Sequence, residues 1–69
     1  MKNMPVYWLV LFGEKDFHVI PILYIPSQKH VDKILEIVYK NNLINFEVKK
    51  VMFSDNIDAV KAATRKYLN

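Results

Sequence analysis

The fold of this chain is decided by residues 6–25, which read VYWLVLFGEKDFHVIPILYI. Two apolar runs, 6–12 and 17–25, flank the polar, glycine-containing segment 13–16. Because β-branched and aromatic residues favour strands and a connection of this length favours a hairpin, the stretch predicts two antiparallel strands. A loop of two or of four residues gives the same register, in which Phe12 lies opposite Phe17.

This register divides the side chains of the hairpin between two faces, because successive residues of a strand point to opposite sides. One face is expected to carry Val6, Trp8, Val10, Phe12, Phe17, Val19, Pro21, Leu23 and Ile25. The other is expected to carry Tyr7, Leu9, Leu11, His18, Ile20, Ile22 and Tyr24. Neither face is polar. Pro21 lacks an N–H for a sheet ladder, which favours an edge position for the second strand.

A helix is predicted to follow the hairpin. Ser27, after Pro26, is a suitable N-cap, and the apolar stripe of one helical face is Val31, Ile34, Leu35 and Val38. Asn41 and Asn42 are expected to end this helix, since asparagine tolerates the left-handed conformation at a helix C-terminus.

A third strand and a second helix complete the pattern. Ile44, Phe46 and Val48 alternate with polar residues, which is typical of a strand with one buried face, and a bulge or strand end is expected at residues 49–50. Ser54 or Asp55 is expected to cap the last helix. The inner stripe of that helix is predicted to be Ile57, Val60, Ala63, Thr64 and Tyr67.

The element order predicts one small α+β domain of ββαβα type over residues 1–69. A right-handed crossover through the first helix gives a three-stranded antiparallel sheet in the order 2-1-3. Both helices are predicted to pack on the face of Trp8, Phe12 and Val19. The opposite face of the sheet then has no element to cover it.

This uncovered face predicts an interface, because monomers rarely expose large apolar patches. The expected interface residues are Tyr7, Leu9, Leu11, Ile20, Ile22 and Tyr24. Sheet-on-sheet stacking in a homodimer is the first interpretation, and docking of a different macromolecule is the second. A dimer would also support a chain of 69 residues, since so small a domain buries only roughly 60% of its unfolded surface.

Composition narrows the function classes. The chain has no cysteine, which excludes a disulfide, a thiol nucleophile and a cysteine zinc site. No apolar run approaches the ~20 residues of a membrane helix, and no small-residue cleavage site follows the first apolar run. We therefore expect a cytoplasmic protein without a membrane partner. The net charge of +3 slightly favours an anionic partner.

A basic first turn in the first helix is the second notable feature. Cations there oppose the helix dipole, while the free N–H groups attract phosphate or carboxylate. The predicted nucleic-acid or anion site is Lys29, His30, Lys33, Lys49 and Lys50. Lys61, Arg65 and Lys66 extend it in one interpretation, although cations at a helix C-terminus are what the dipole favours in any case. The alternative is an ordinary solvated face.

Catalytic machinery is not indicated. His18 and His30 fall on different elements, the carboxylates show no motif spacing, and the single glycine excludes a phosphate loop. We expect no catalytic residue, no metal and no cofactor. The sequence thus predicts a small non-enzymatic homodimer that binds nucleic acid or regulates a protein that does. The alternative is a protein-protein interaction module, such as an inhibitor or accessory subunit, that docks through the apolar sheet face or an edge strand.

Overall fold

The structure, a computed structural model, describes residues 6–68. Its elements are β1 (Tyr7–Phe12), β2 (Phe17–Ile22), α1 (Gln28–Lys40), β3 (Lys50–Ser54) and α2 (Ile57–Leu68). The strands form one antiparallel sheet in the order β2-β1-β3, which confirms the predicted α+β class and topology. Residues 1–5 and 69 of the predicted domain lie outside the described residues.

The hairpin has the predicted register. Phe12 pairs with Phe17, and Tyr7 pairs with Ile22 at the other end. Gly13 donates its N–H to the carbonyl oxygen of Asp16 at 2.7 Å and closes the turn. Strand β2 is an edge strand, and it ends at Ile22, three residues earlier than the sequence predicted.

The two helices lie on opposite faces of the sheet, and the prediction that both pack on one face is wrong. Val31 and Val38 of α1 share a core cluster with Leu9 and Leu11. On the other side, α2 packs its own core cluster against the sheet, with Val60 against Val10 and Phe12. The cause is the central strand: because β1 is apolar on both sides, each of its faces needs a separate cover. The molecule is therefore a three-layer sandwich with a helix, the sheet and a helix.

The third strand lies later in the chain than predicted. The segment of Ile44, Phe46 and Val48 is not a strand, and β3 begins at Lys50. Ile44 and Val48 instead pack against the core cluster under α1, and the Val48 N–H donates to the hydroxyl of Tyr39 at 2.8 Å. The alternation in the sequence reflects a loop that closes one end of the core.

The ends of α1 agree with the sequence. Ser27 is its N-cap, and the Ser27 hydroxyl accepts a hydrogen bond from the His30 N–H at 3.3 Å. Asn41 is the C-cap, and Asn42 follows in the left-handed conformation with φ 54°.

The N-terminus of α2 differs from the prediction. Asn56, and neither Ser54 nor Asp55, supplies the capping oxygen: its Oδ1 accepts from the N–H of Asp58 at 2.9 Å and of Ala59 at 3.4 Å. Ser54 has a different role, since its hydroxyl accepts the Asn56 N–H at 3.1 Å. No helix within residues 6–68 is long and apolar enough to cross a membrane.

Candidate functional site

Most of the predicted interface lies inside the monomer. Leu9 and Leu11 are 0% exposed and Ile22 is 8% exposed, because α1 covers them. Tyr7 and Ile20 are half-buried against the same cluster. The expectation of an uncovered sheet face is thus wrong, and these side chains cannot stack a second sheet.

Tyr24 is the exception among the predicted interface residues. It lies after β2 in an exposed apolar segment with Leu23 and Ile25. Its ring meets the His30 ring edge to face, with centroids 5.1 Å apart. This segment connects the end of β2 to the cap of α1.

The predicted anion site is divided between two layers of the sandwich. Lys29 and Lys33 are exposed on α1. Lys50 pairs with Phe12 in the register of β1 and β3, so its side chain faces the α2 side of the sheet. Lys49 forms an ion pair with Glu47, with Nζ 3.3 Å from Oε1. The structure therefore does not bring the five predicted residues together.

His30 has a structural role at the start of α1. Its Nδ1 lies 3.2 Å from the Ser27 backbone nitrogen, which donates to it, and 3.1 Å from the Ser27 hydroxyl oxygen. This is a capping box in which histidine replaces the usual Glu or Gln. The Nδ1 atom of His30 therefore takes part in the helix cap.

A different cationic site lies between β3 and α2, and we call it the basic groove. It has a volume of about 390 Å³. Its lining residues are Phe12, Lys50, Met52, Ala63, Lys66 and Tyr67. The lining contains two ammonium groups and no carboxylate. Among the described residues, no carboxylate lies within ion-pair distance of either lysine.

The floor of the basic groove is firmly packed. Phe12 is 1% exposed, and its ring centroid lies 4.4 Å from that of Tyr67. The Tyr67 hydroxyl donates to the carbonyl oxygen of Gly13, which ties the last turn of α2 to the hairpin. Lys50 and Lys66 therefore flank a well-packed part of the structure.

Charge is unevenly distributed between the two helices. In α1 the cations Lys29, Lys33 and Lys40 are interspersed with the acids Asp32 and Glu36. In α2 the only acid is Asp58, in the first turn, and the rest of the helix carries Lys61, Arg65 and Lys66. Helix α2, which forms the layer with the basic groove, therefore carries a slightly larger net positive charge than α1.

A second cavity of about 270 Å³ lies at the hairpin tip. Its lining residues are Glu14, Lys15, Asp16, Phe46, Glu47 and Lys49. Because three carboxylates accompany two ammonium groups, this cavity offers no net attraction for an anion. Residues 6–68 also bring together no group of three histidine, aspartate or glutamate side chains that could hold a metal ion.

The sequence singled out the lysines of the basic groove but placed them in separate groups. The sequence predicts Lys50 as a member of the anion site and Lys66, near the C-terminal end of α2, only as a separate extension of that site in one interpretation. Two features of the sequence could have located the basic groove. Lys50 and Met52 share a strand face, and Lys66 borders the inner stripe of α2. Comparison with protein-family models, curated proteins and solved structures finds no match for this chain.

Proposed function

We propose that this protein is a non-enzymatic nucleic-acid-binding protein that holds the phosphate backbone in the basic groove. The observation that carries the proposal is the convergence of Lys50 and Lys66 on one groove without a carboxylate in its lining. Phosphate contacts by lysine supply most of the sequence-independent affinity of such proteins. Lys50 strengthens the case because it lies on a strand, where no helix dipole accounts for a cation.

The uneven charge of α2 supports the same function. Lys61 and Arg65 lie one helical turn apart and, with Lys66, give the outer layer a run of cations. A polyanion lying along α2 would meet these cations in addition to the groove. The proposed contact is to the backbone, so it predicts binding without strong sequence preference.

Salt dependence tests the proposal. Fluorescence anisotropy with labelled single-stranded DNA, duplex DNA and RNA should show binding that weakens steeply as ionic strength rises. The variant Lys50→Ala/Lys66→Ala should bind more weakly and should reduce the salt slope by roughly one per lysine.

The matched control is Lys29→Ala/Lys33→Ala, which removes the same charge from the opposite layer. The salt dependence of its binding constant should be nearly the same as that of the native protein. Equal losses in both variants would show that net charge alone drives binding and would refute the basic groove. A larger loss of affinity in the Lys29→Ala/Lys33→Ala variant would place the phosphate contact at the start of α1.

A further inference from the structure

The two edge strands of the sheet differ in their ability to pair with an additional strand. The direction in which their backbone N–H and C=O groups face shows the difference. Gly13 bonds to Asp16 across the hairpin, while the Phe12 carbonyl accepts the Lys49 N–H at 2.6 Å on the other side. The backbone N–H and C=O groups of successive residues in a strand face opposite sides. The backbone groups of Val10, two residues before Phe12, therefore also face β3. The backbone N–H and C=O groups of its partner Met52 therefore face β1.

The backbone groups of Val51 and Phe53 consequently point away from the sheet, since they alternate with those of Met52. No described strand pairs with this outer edge of β3. On the opposite edge, Pro21 lies across from Trp8 and occupies an outward-pointing position of β2, where it offers no N–H. Only β3 presents an outer edge without a proline.

An apolar groove accompanies this free edge, and we call it the edge groove. It has a volume of about 250 Å³ and lies between Val31 and Leu35 of α1 and Val51 and Phe53 of β3. No charged side chain lines it. The Phe53 ring is 45% exposed, with an edge contact to Tyr7 at a centroid distance of 6.5 Å. This lining suits an added strand whose groove-facing side chains are uncharged and include a large apolar one.

We propose that the occupant is β3 of a second copy, paired antiparallel about a two-fold axis at Met52. In this register Val51 of each copy lies opposite Phe53 of the other, so every outward N–H and C=O of these two residues finds a partner. The pair of a β-branched and an aromatic residue is favourable across strands. Phe53 of the second copy enters the edge groove beside Leu35.

Charge agrees with this register. Lys50 is the only charged residue of β3, and it lies opposite Ser54 of the second copy instead of another lysine. Like charges directly opposite each other would have been unfavourable. The two three-stranded sheets then form one continuous sheet, and the basic grooves of both copies lie on its same face. Stacking through the sheet faces is not available, because α1 and α2 cover them.

A single introduced cysteine gives a direct test, since the chain has none of its own. Met52 and its symmetry mate form a non-hydrogen-bonded pair, whose Cα atoms lie about 4.5 Å apart, within the range that a disulfide spans. Met52→Cys should form a covalent dimer under mild oxidation. The control Ala62→Cys, exposed on α2, should remain a monomer on non-reducing gels.

Sedimentation equilibrium supplies the second measurement. The native protein should have the mass of two chains, and Phe53→Lys should have the mass of one while keeping its circular dichroism spectrum. A native monomer at all accessible concentrations would refute the proposal, as would a dimer in which Met52→Cys fails to crosslink. A monomer that takes up an uncharged extended peptide at this edge would assign the edge groove to a different protein.

Discussion

The hydroxyl of Tyr67, in the last turn of α2, donates a hydrogen bond to the carbonyl oxygen of Gly13, the residue after β1. The two residues are far apart in sequence, so this bond joins the end of the described chain to the hairpin. It also orients the Tyr67 ring against Phe12 at the floor of the basic groove.

Replacing Tyr67 by Phe should lower the free energy of unfolding by about 1 kcal/mol, the net contribution of a typical hydrogen bond. In a domain of this size the melting temperature should fall by roughly 4–8 °C. Tyr24→Phe is the matched control, because the Tyr24 hydroxyl makes no hydrogen bond to a described residue. Equal melting temperatures for the two variants would show that the Tyr67 bond contributes nothing.

Gly13 is required because of its neighbour Phe46. A Cβ added at Gly13 would collide with the Phe46 ring, although the backbone of Gly13 is not in the left-handed region. Gly13→Ala should therefore destabilise the protein by about 1–3 kcal/mol through overpacking. Urea denaturation is the measurement.

A double-mutant cycle separates this collision from a backbone effect. In a Phe46→Leu background the added methyl group has more room, so Gly13→Ala should cost less there than in the native chain. If the cost is the same in both backgrounds, the collision is not its cause.

Leu11 tests the position of α1 over the sheet. It is 0% exposed, so Leu11→Ala should cost about 2–5 kcal/mol and leave much of the chain unfolded. Far-ultraviolet circular dichroism measures the loss. The control Ile37→Ala, on the exposed side of α1, should change stability little. A folded Leu11→Ala protein with only an altered mass would restore the predicted sheet interface.

The cap of α1 gives a prediction with a graded control. Ser27→Ala removes the acceptor of the His30 N–H and should cost about 1 kcal/mol, while Ser27→Gly should cost only a few tenths. Ser27→Asp keeps an acceptor and should stay near the native value. Thermal denaturation of the three variants measures the order, and an equal loss in the Asp variant would rule out capping.

The features that the sequence predicted correctly are local ones. The hairpin register follows from the number of residues between Phe12 and Phe17, and the start of α1 follows from one serine beside an apolar stripe. Strand order followed from the crossover rule together with a central strand that is apolar on both sides. Each of these depends on short-range spacing or on a general chain rule.

The side of the sheet that each helix covers is not a local property. Val10 and Leu11 are both 0% exposed, and a strand buried on both faces reads as a continuous apolar run. Such a run fits a strand with a cover on each face, and it equally predicts a surplus of apolar surface when both helices are placed on one side. The apolar stripes of the two helices fit either face, so they do not distinguish the two arrangements.

The basic groove could not be predicted for the same reason. Lys50 and Lys66 are brought together by the packing of α2 on β3, which depends on how the chain turns after Ser54. The turn uses Asn56 as its cap, a residue that the sequence did not single out. The net charge only slightly favours an anionic partner, and the packing of α2 on β3 determines which lysines lie together.

In the proposed dimer, Pro21 limits how far the sheet can extend. A sheet with two open edges can add copies at both ends and grow into a fibre. Here one edge is interrupted by a residue that cannot donate, so the proposed joining of β3 strands uses the one edge suited to pairing. In that dimer both outer edges are β2 strands, and the missing N–H of Pro21 disfavours the addition of a further strand at either one.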